Sequence, residues 1–100
     1  MKIPQSKEEC FASLDKELSK EDKQYLIEDE DASFDVHFSL AMWIRNNWIY
    51  QQKEEDIKGL MRQFVNPDDR LTFGLICYSA DMASSTIINS YIDYLKTKIQ

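Results

Sequence analysis

The chain has 100 residues, which is enough for one domain with a single modest core burying roughly 60–70% of the unfolded surface. Two glycines and two prolines are too few turn-formers for a sandwich or barrel of many short strands, and the wealth of Lys, Glu, Leu and Ile favours helices. A net charge of −6 disfavours contact with nucleic-acid phosphates or anionic lipid; it serves solubility and suits a basic partner.

The N-terminus runs from Met1-Lys2-Ile3-Pro4 straight into charges. It has no apolar signal region, and no stretch of ~18 apolar residues follows. A cytoplasmic location is the default expectation, with no membrane contact. Cys10 and Cys77 are then reduced thiols, each among apolar neighbours and expected to be buried as a small hydrophobe.

Ser6-Lys7-Glu8-Glu9 is a capping box that starts a first helix. Cys10, Phe11, Leu14 and Leu18 follow at helical spacing, and the helix should end near Ser19. Ser19-Lys20-Glu21-Asp22 is a second N-terminal signature, with acids where the helix dipole favours them. It opens a short helix carrying Tyr25, Leu26 and Ile27, which runs out in the acidic stretch Glu28-Asp29-Glu30-Asp31.

The strongest pattern spans residues 33–52, with Ser33 as cap. Steps of 100° put His37, Leu40, Ala41, Ile44 and Trp48 on one core face. Phe34, Phe38 and Arg45 flank it on one side; Val36, Trp43 and Asn47 flank it on the other. Asp35, Ser39, Asn46 and Tyr50 point away. An apolar arc this wide predicts a central helix touched on two sides.

A fourth helix is expected from Glu54 to Val65 along Ile57, Leu60, Met61 and Phe64. Asn66-Pro67-Asp68-Asp69 breaks the chain and could cap another helix. Residues 71–78 read both ways: Leu71, Phe73, Leu75 and Cys77 alternate like a strand, whereas Leu71, Leu75 and Tyr78 fit a helix. With no second strand to pair, a short helix or buried loop is favoured. The last helix starts near Asp81 and carries Ile88, Tyr91, Ile92, Leu95 and Ile99, widened by Ile87 and Tyr94. The fold class that results is all-α: a compact single-domain bundle of about five helices, residues 1–100, around a central amphipathic helix.

Chemical motifs are sparse. His37, Cys10 and Cys77 lie at no metal-ligand spacing. Asp29, Asp31, Ser33 and Asp35 imitate a calcium loop, but Phe34 stands where glycine is required and Leu40 where the bidentate Glu belongs. No glycine-rich phosphate loop, nucleophile elbow or distinct acid–base couple is present. The sequence therefore predicts no metal, no cofactor and no catalytic residue. A pairing of His37 with Cys10 or Cys77 has no local support, and His37 fits the edge of a core better.

Arg45 sits beside the apolar stripe, next to Asn46 and Asn47 and between two tryptophans. Two consecutive asparagines in mid-helix cost on the order of 1 kcal/mol against alanine. Two readings stand. In one, Arg45 pairs with a buried carboxylate such as Asp81, and Asn47 caps a neighbouring backbone group. In the other, Trp43, Arg45, Asn46, Asn47 and Tyr50 form a partner surface, since Trp, Tyr and Arg dominate binding hot spots. His37, Arg45, Asp81, Ser84 and Ser85 make a second candidate cluster. The amides at Ser84-Ser85 could bind an anion, although plain capping explains them.

Ile3-Pro4, Glu8-Glu9-Cys10, Leu14, Leu18-Ser19, Glu21-Asp22, Asp81-Met82, Ser84-Ser85, Ile87-Ile88, Ser90-Tyr91 and Tyr94-Leu95, together with His-Phe-x-Leu-x-Met-Trp-Ile-Arg-Asn-Asn-Trp from His37 to Trp48, resemble a family of small bacterial domains of unknown function. The resemblance covers most of the chain and departs from Ile49 to Ser79. There the family tends toward a glycine-and-tryptophan turn and a His-Pro-Asp-Asp lead into the last helix; here Tyr78-Ser79-Ala80-Asp81 stands instead. It implies a bacterial or phage origin and a compact helical fold, and brings no activity with it.

Three functions fit these features. The leading one is an acidic, non-enzymatic protein-binding module, such as an immunity protein or inhibitor neutralising a basic toxin or nuclease-like protein. The second is a small ligand-binding or catalytic domain built on His37, Arg45 and Asp81. The third is a structural or regulatory subunit that oligomerises through the tyrosines of the last helix.

Overall fold

The computed structural model describes residues 3–28, 34–66, 68, 69, 71, 73, 74 and 79–99, with the backbone alone for 34–36 and 99. Among them are five α-helices: α1 (Lys7–Glu17), α2 (Lys20–Glu28), α3 (Phe34–Ile44), α4 (Glu54–Met61) and α5 (Ala80–Ile99). A π-helical segment, Arg45–Ile49, continues α3 directly. No described residue is in a strand. The radius of gyration, 13.2 Å, matches the ~13 Å of a folded chain this long.

Each helix start has a local cause. The Ser6 hydroxyl accepts the Glu9 amide at 3.1 Å and so caps α1. The reciprocal arm of the expected capping box lands one residue early: the Glu9 carboxylate accepts from the Gln5 amide at 2.6 Å. Gln63, just past α4, reinforces this end. It accepts the Lys7 amide at 2.8 Å and donates to the Gln5 carbonyl at 3.2 Å. Ser19 caps α2 through the Asp22 amide at 3.1 Å. The expected Ser33 cap and the thiol of Cys77 lie outside the described residues.

Three boundaries differ from the sequence pattern. Helix α1 ends at Glu17, two residues before Ser19. Helix α4 ends at Met61, and tighter turns carry the chain through Phe64 toward Val65. The helix expected over 33–52 stops being α at Ile44. Between α4 and α5, Asn66 Oδ1 accepts the Asp68 amide at 3.0 Å, and Phe73 N–H reaches the Asp69 carbonyl at 2.9 Å. Leu71, Phe73 and Gly74 are helical and Leu71 is exposed, while Leu75, Cys77 and Tyr78 lie outside the described residues.

Every helix supplies the core: Cys10, Phe11 and Leu14 from α1, Leu26 from α2, Leu40, Ala41 and Ile44 from α3, Trp48 and Ile49 from the π segment, Leu60 and Met61 from α4. Helix α5 contributes Ala83, Ile87, Ile88, Tyr91 and Leu95. Its 20 residues rise about 30 Å, against a longest molecular dimension of 34 Å. It touches α2, α3 and the π segment, and reaches α1 through the ring of Phe11 on Tyr91. The centre of the bundle is thus shared between α3 and α5. His37, expected in the core, is only half-buried.

Candidate functional site

The Trp43–Tyr50 block owes its geometry to the π turn. There the Tyr50 amide bonds the Arg45 carbonyl, five residues back, at 2.8 Å. A five-residue step sets Ile49 beneath Ile44, so Trp48 and Ile49 straddle the core direction that Trp48 alone would occupy in a regular helix. Trp48 is fully buried and Ile49 nearly so. Trp43 is half-buried, its ring edge-on to Trp48 with centroids 5.3 Å apart.

Side-chain amides add donors to two carbonyls around the widened turn. Asn47 Nδ2 donates to the Trp43 carbonyl at 2.9 Å, and Gln52 Nε2 donates to that of Trp48 at 2.8 Å. A buried carbonyl left without a donor costs about 1–3 kcal/mol. Asn47 therefore has a backbone to satisfy, whereas Asn46 is exposed. Accordingly, Asn47→Ala is expected to lose about 1 kcal/mol in urea denaturation. Asn46→Ala should stay within roughly 0.5 kcal/mol of the parent. Equal losses would remove this distinction.

Arg45 Nη1 lies 2.8 Å from Asp81 Oδ1 and 3.3 Å from Ser84 Oγ. The partner is the one the sequence suggests, but the burial is inverted: the Arg45 side chain is 16% exposed and that of Asp81 82%. Buried Ser84 accepts from Arg45 and donates to the Asp81 carbonyl at 3.0 Å, so both its functions are filled. Neither Ser84 nor Ser85 caps α5. The helix starts four residues before Ser84, at Ala80, and the Ser79 hydroxyl accepts the Met82 amide at 3.4 Å. Ser85 is half-buried.

The polar cluster therefore divides. Arg45, Asp81 and Ser84 meet. His37 stands eight residues before Arg45, about 12 Å along a helix axis, and bonds none of them. The Ser84 proton is directed to a carbonyl, so the trio has no base–nucleophile pair. The Cys10 thiol is equally unsuited. Full burial, and behind it the charges of Glu9 and Glu8, push it up to about 12, whereas a reactive thiol needs the reverse. No group of three His, Cys, Asp or Glu side chains able to hold a metal converges among the described residues.

On the outside of α3, Phe38, Met42, Asn46 and Tyr50 recur every fourth residue and are all exposed. Phe38 is 55% exposed, Met42 43% and Tyr50 64%. Asn46 and Tyr50 belong to the surface named from sequence; Phe38 and Met42 do not. Their signal was available: two large apolar residues one turn apart and off the core face.

A second arrangement centres on Asp15. Tyr91 Oη donates to Asp15 Oδ1 at 2.7 Å and Tyr94 Oη to Oδ2 at 3.4 Å. Lys23 and Lys98 approach the same oxygens at 3.6 and 3.9 Å. Burial first, then the bond to Asp15, raises the Tyr91 phenol above its ordinary value. Phe11 lies against both tyrosine rings, at centroid distances of 5.7 and 4.7 Å. The tyrosines expected to form an oligomer stripe are thus engaged inside the fold.

No helix among the described residues is long and apolar enough to cross a membrane. No curated protein and no solved structure matches the chain. A family model for a domain of unknown function, DUF6794, matches residues 3–95. That match takes in all five helices up to Leu95, with both the π segment and the Asp15 centre inside it, and the chain belongs to this family.

Proposed function

We propose that the protein is a small, acidic, non-enzymatic protein-binding module that docks a basic partner on the outer ridge of α3 and the π segment. Neutralising that partner, as an immunity protein or inhibitor does, is the activity this reading assigns. One observation carries it: Phe38 and Met42 on successive turns of α3, and Tyr50 at the end of the π segment, keep large apolar surfaces in water. Grouped exposed apolar side chains mark interaction sites, and aromatic residues are frequent anchors. Asp81 supports the reading, with its carboxylate largely open while Arg45 fixes its position. The net charge of −6 would speed encounter with a cationic protein.

Affinity capture from the native host, comparing the parent chain with Phe38→Glu/Met42→Glu, tests this. Both substitutions fall on exposed positions and should leave the melting temperature unchanged. Losing an anchor costs roughly 2 kcal/mol, a factor of about thirty in affinity. A basic protein retained by the parent, eluted by salt and lost from the variant is the expected result. Retention of the same protein by both chains, or of none by either, would refute the proposal.

A further inference from the structure

Asp15 of α1, Lys20, Lys23 and Gln24 of α2, and Leu95 and Lys98 of α5 line an open cleft of about 430 Å³. Sites for small molecules run to roughly 300–1,000 Å³. Three lysines face one carboxylate here, a surplus of two positive charges in a chain whose total is −6.

That surplus is only partly engaged locally. A carboxylate offers about four acceptor positions. Asp15 accepts hydrogen bonds from Tyr91 on Oδ1 and Tyr94 on Oδ2, while Lys23 and Lys98 stand at ion-pair distance from the same oxygens. Lys23 is held more firmly still, since its ammonium donates to the Asp15 carbonyl at 3.0 Å. Gln24 is turned toward Glu28 and takes no part. Lys20 forms no ion pair among the described residues, whereas Lys98 meets Asp15 at 3.9 Å and places its ammonium over the Tyr94 ring, 4.9 Å from the centroid. Each ammonium carries three donors, so those of Lys20 and part of those of Lys23 and Lys98 are left for a ligand in the cleft they line. Asp15, braced by two phenols, acts as a fixed post that steadies two cations on the wall. Such preorganisation lowers the ordering cost of binding.

We propose that this cleft binds a small oxyanion carrying at least two negative charges, of phosphate or polycarboxylate type. Lys20, Lys23 and Lys98 are its ligands, and Leu95 is an apolar floor for the carbon part. Binding leaves the Asp15 contacts in place, because the anion takes the donors that Asp15 leaves free. The site lies on other elements than the docking ridge and stands or falls separately from it.

Titration of the full chain with pyrophosphate and with citrate, followed by amide NMR shifts against potassium chloride at matched ionic strength, tests the site. Saturable shifts are expected in the last turn of α1, the first turns of α2 and the end of α5. A response to pyrophosphate alone assigns phosphate chemistry; a response to citrate alone assigns polycarboxylates; a response to both assigns charge as the feature recognised. Lys20→Gln/Lys98→Gln alters two exposed side chains and should weaken binding at least about tenfold without lowering the melting temperature. No saturable response to either anion beyond that of chloride, or undiminished binding by the double variant, overturns the proposal.

Discussion

Trp48→Ala is expected to remove roughly 3–5 kcal/mol of folding stability. Trp48 is fully buried, and the Trp43 ring packs against it in a T-shaped pair. Truncation forfeits the transfer energy of the indole and leaves a cavity that a π turn, already fixed by its own hydrogen-bond register, cannot easily collapse to fill. A domain this size has about 5–15 kcal/mol in total, so the variant should sit near its unfolding threshold. Far-UV circular dichroism in urea would read this as a large fall in midpoint at unchanged slope. Half-buried Trp43, substituted in the same way, should lose distinctly less. A Trp48→Ala cost below about 1 kcal/mol would mean that the core around the π turn is not close-packed.

The second large effect is alkaline. The Cys10 thiol has an ordinary value of 9.0 and a folded value of about 12, raised first by burial and then by Glu9 and Glu8. The folded state therefore keeps a proton that the unfolded state gives up. This contribution is complete below pH 9 and is lost as pH rises from 9 toward 12, at up to about 1.4 kcal/mol per unit. Tyr91, ordinarily 10.0 and also raised, acts in the same direction above pH 10. Urea midpoints at pH 7, 9, 10 and 11 should fall steeply for the parent chain. Cys10→Ala loses some packing at pH 7 but should show a flatter alkaline limb, so the two curves converge; Cys77, present in both chains, cancels. Parallel curves would show that Cys10 ionises as freely in the fold as outside it.

Periodicity carried the helices well because each core position is repeated and each helix start has its own chemistry. Ser6 and Ser19 cap as their neighbours suggest, and Leu40, Ala41, Ile44 and Trp48 are buried as the wheel requires. The wheel assumes one hydrogen-bond register, so it could not place Ile49 or see the helix change at Arg45. The trace of that change was Asn46-Asn47, a pair that is costly in an α-helix; one of the two donates to the Trp43 carbonyl. The candidate surface was legible only in part. Asn46 and Tyr50 are open, but Arg45 and Asn47 have internal partners; Phe38, on the flank of the apolar arc, looks like extra core, and Met42 has no polar neighbour pattern to mark it as surface. The Asp15 centre was invisible for another reason. It is one carboxylate among 18 acidic residues, and its tyrosines lie 76 and 79 positions away.

That separation also bears on the order in which the molecule can assemble as it is made. Phe11 and Asp15 are synthesised early, yet the rings and hydroxyls that cover them belong to Tyr91 and Tyr94. Lys23, Gln63 and Phe64 reach the first helix sooner, but its interface is not complete until some 75 further residues have been added, and that distant closure is slow to be rewarded. The bundle locks only once α5 has been translated, which makes the newest helix the one that commits the oldest to its place.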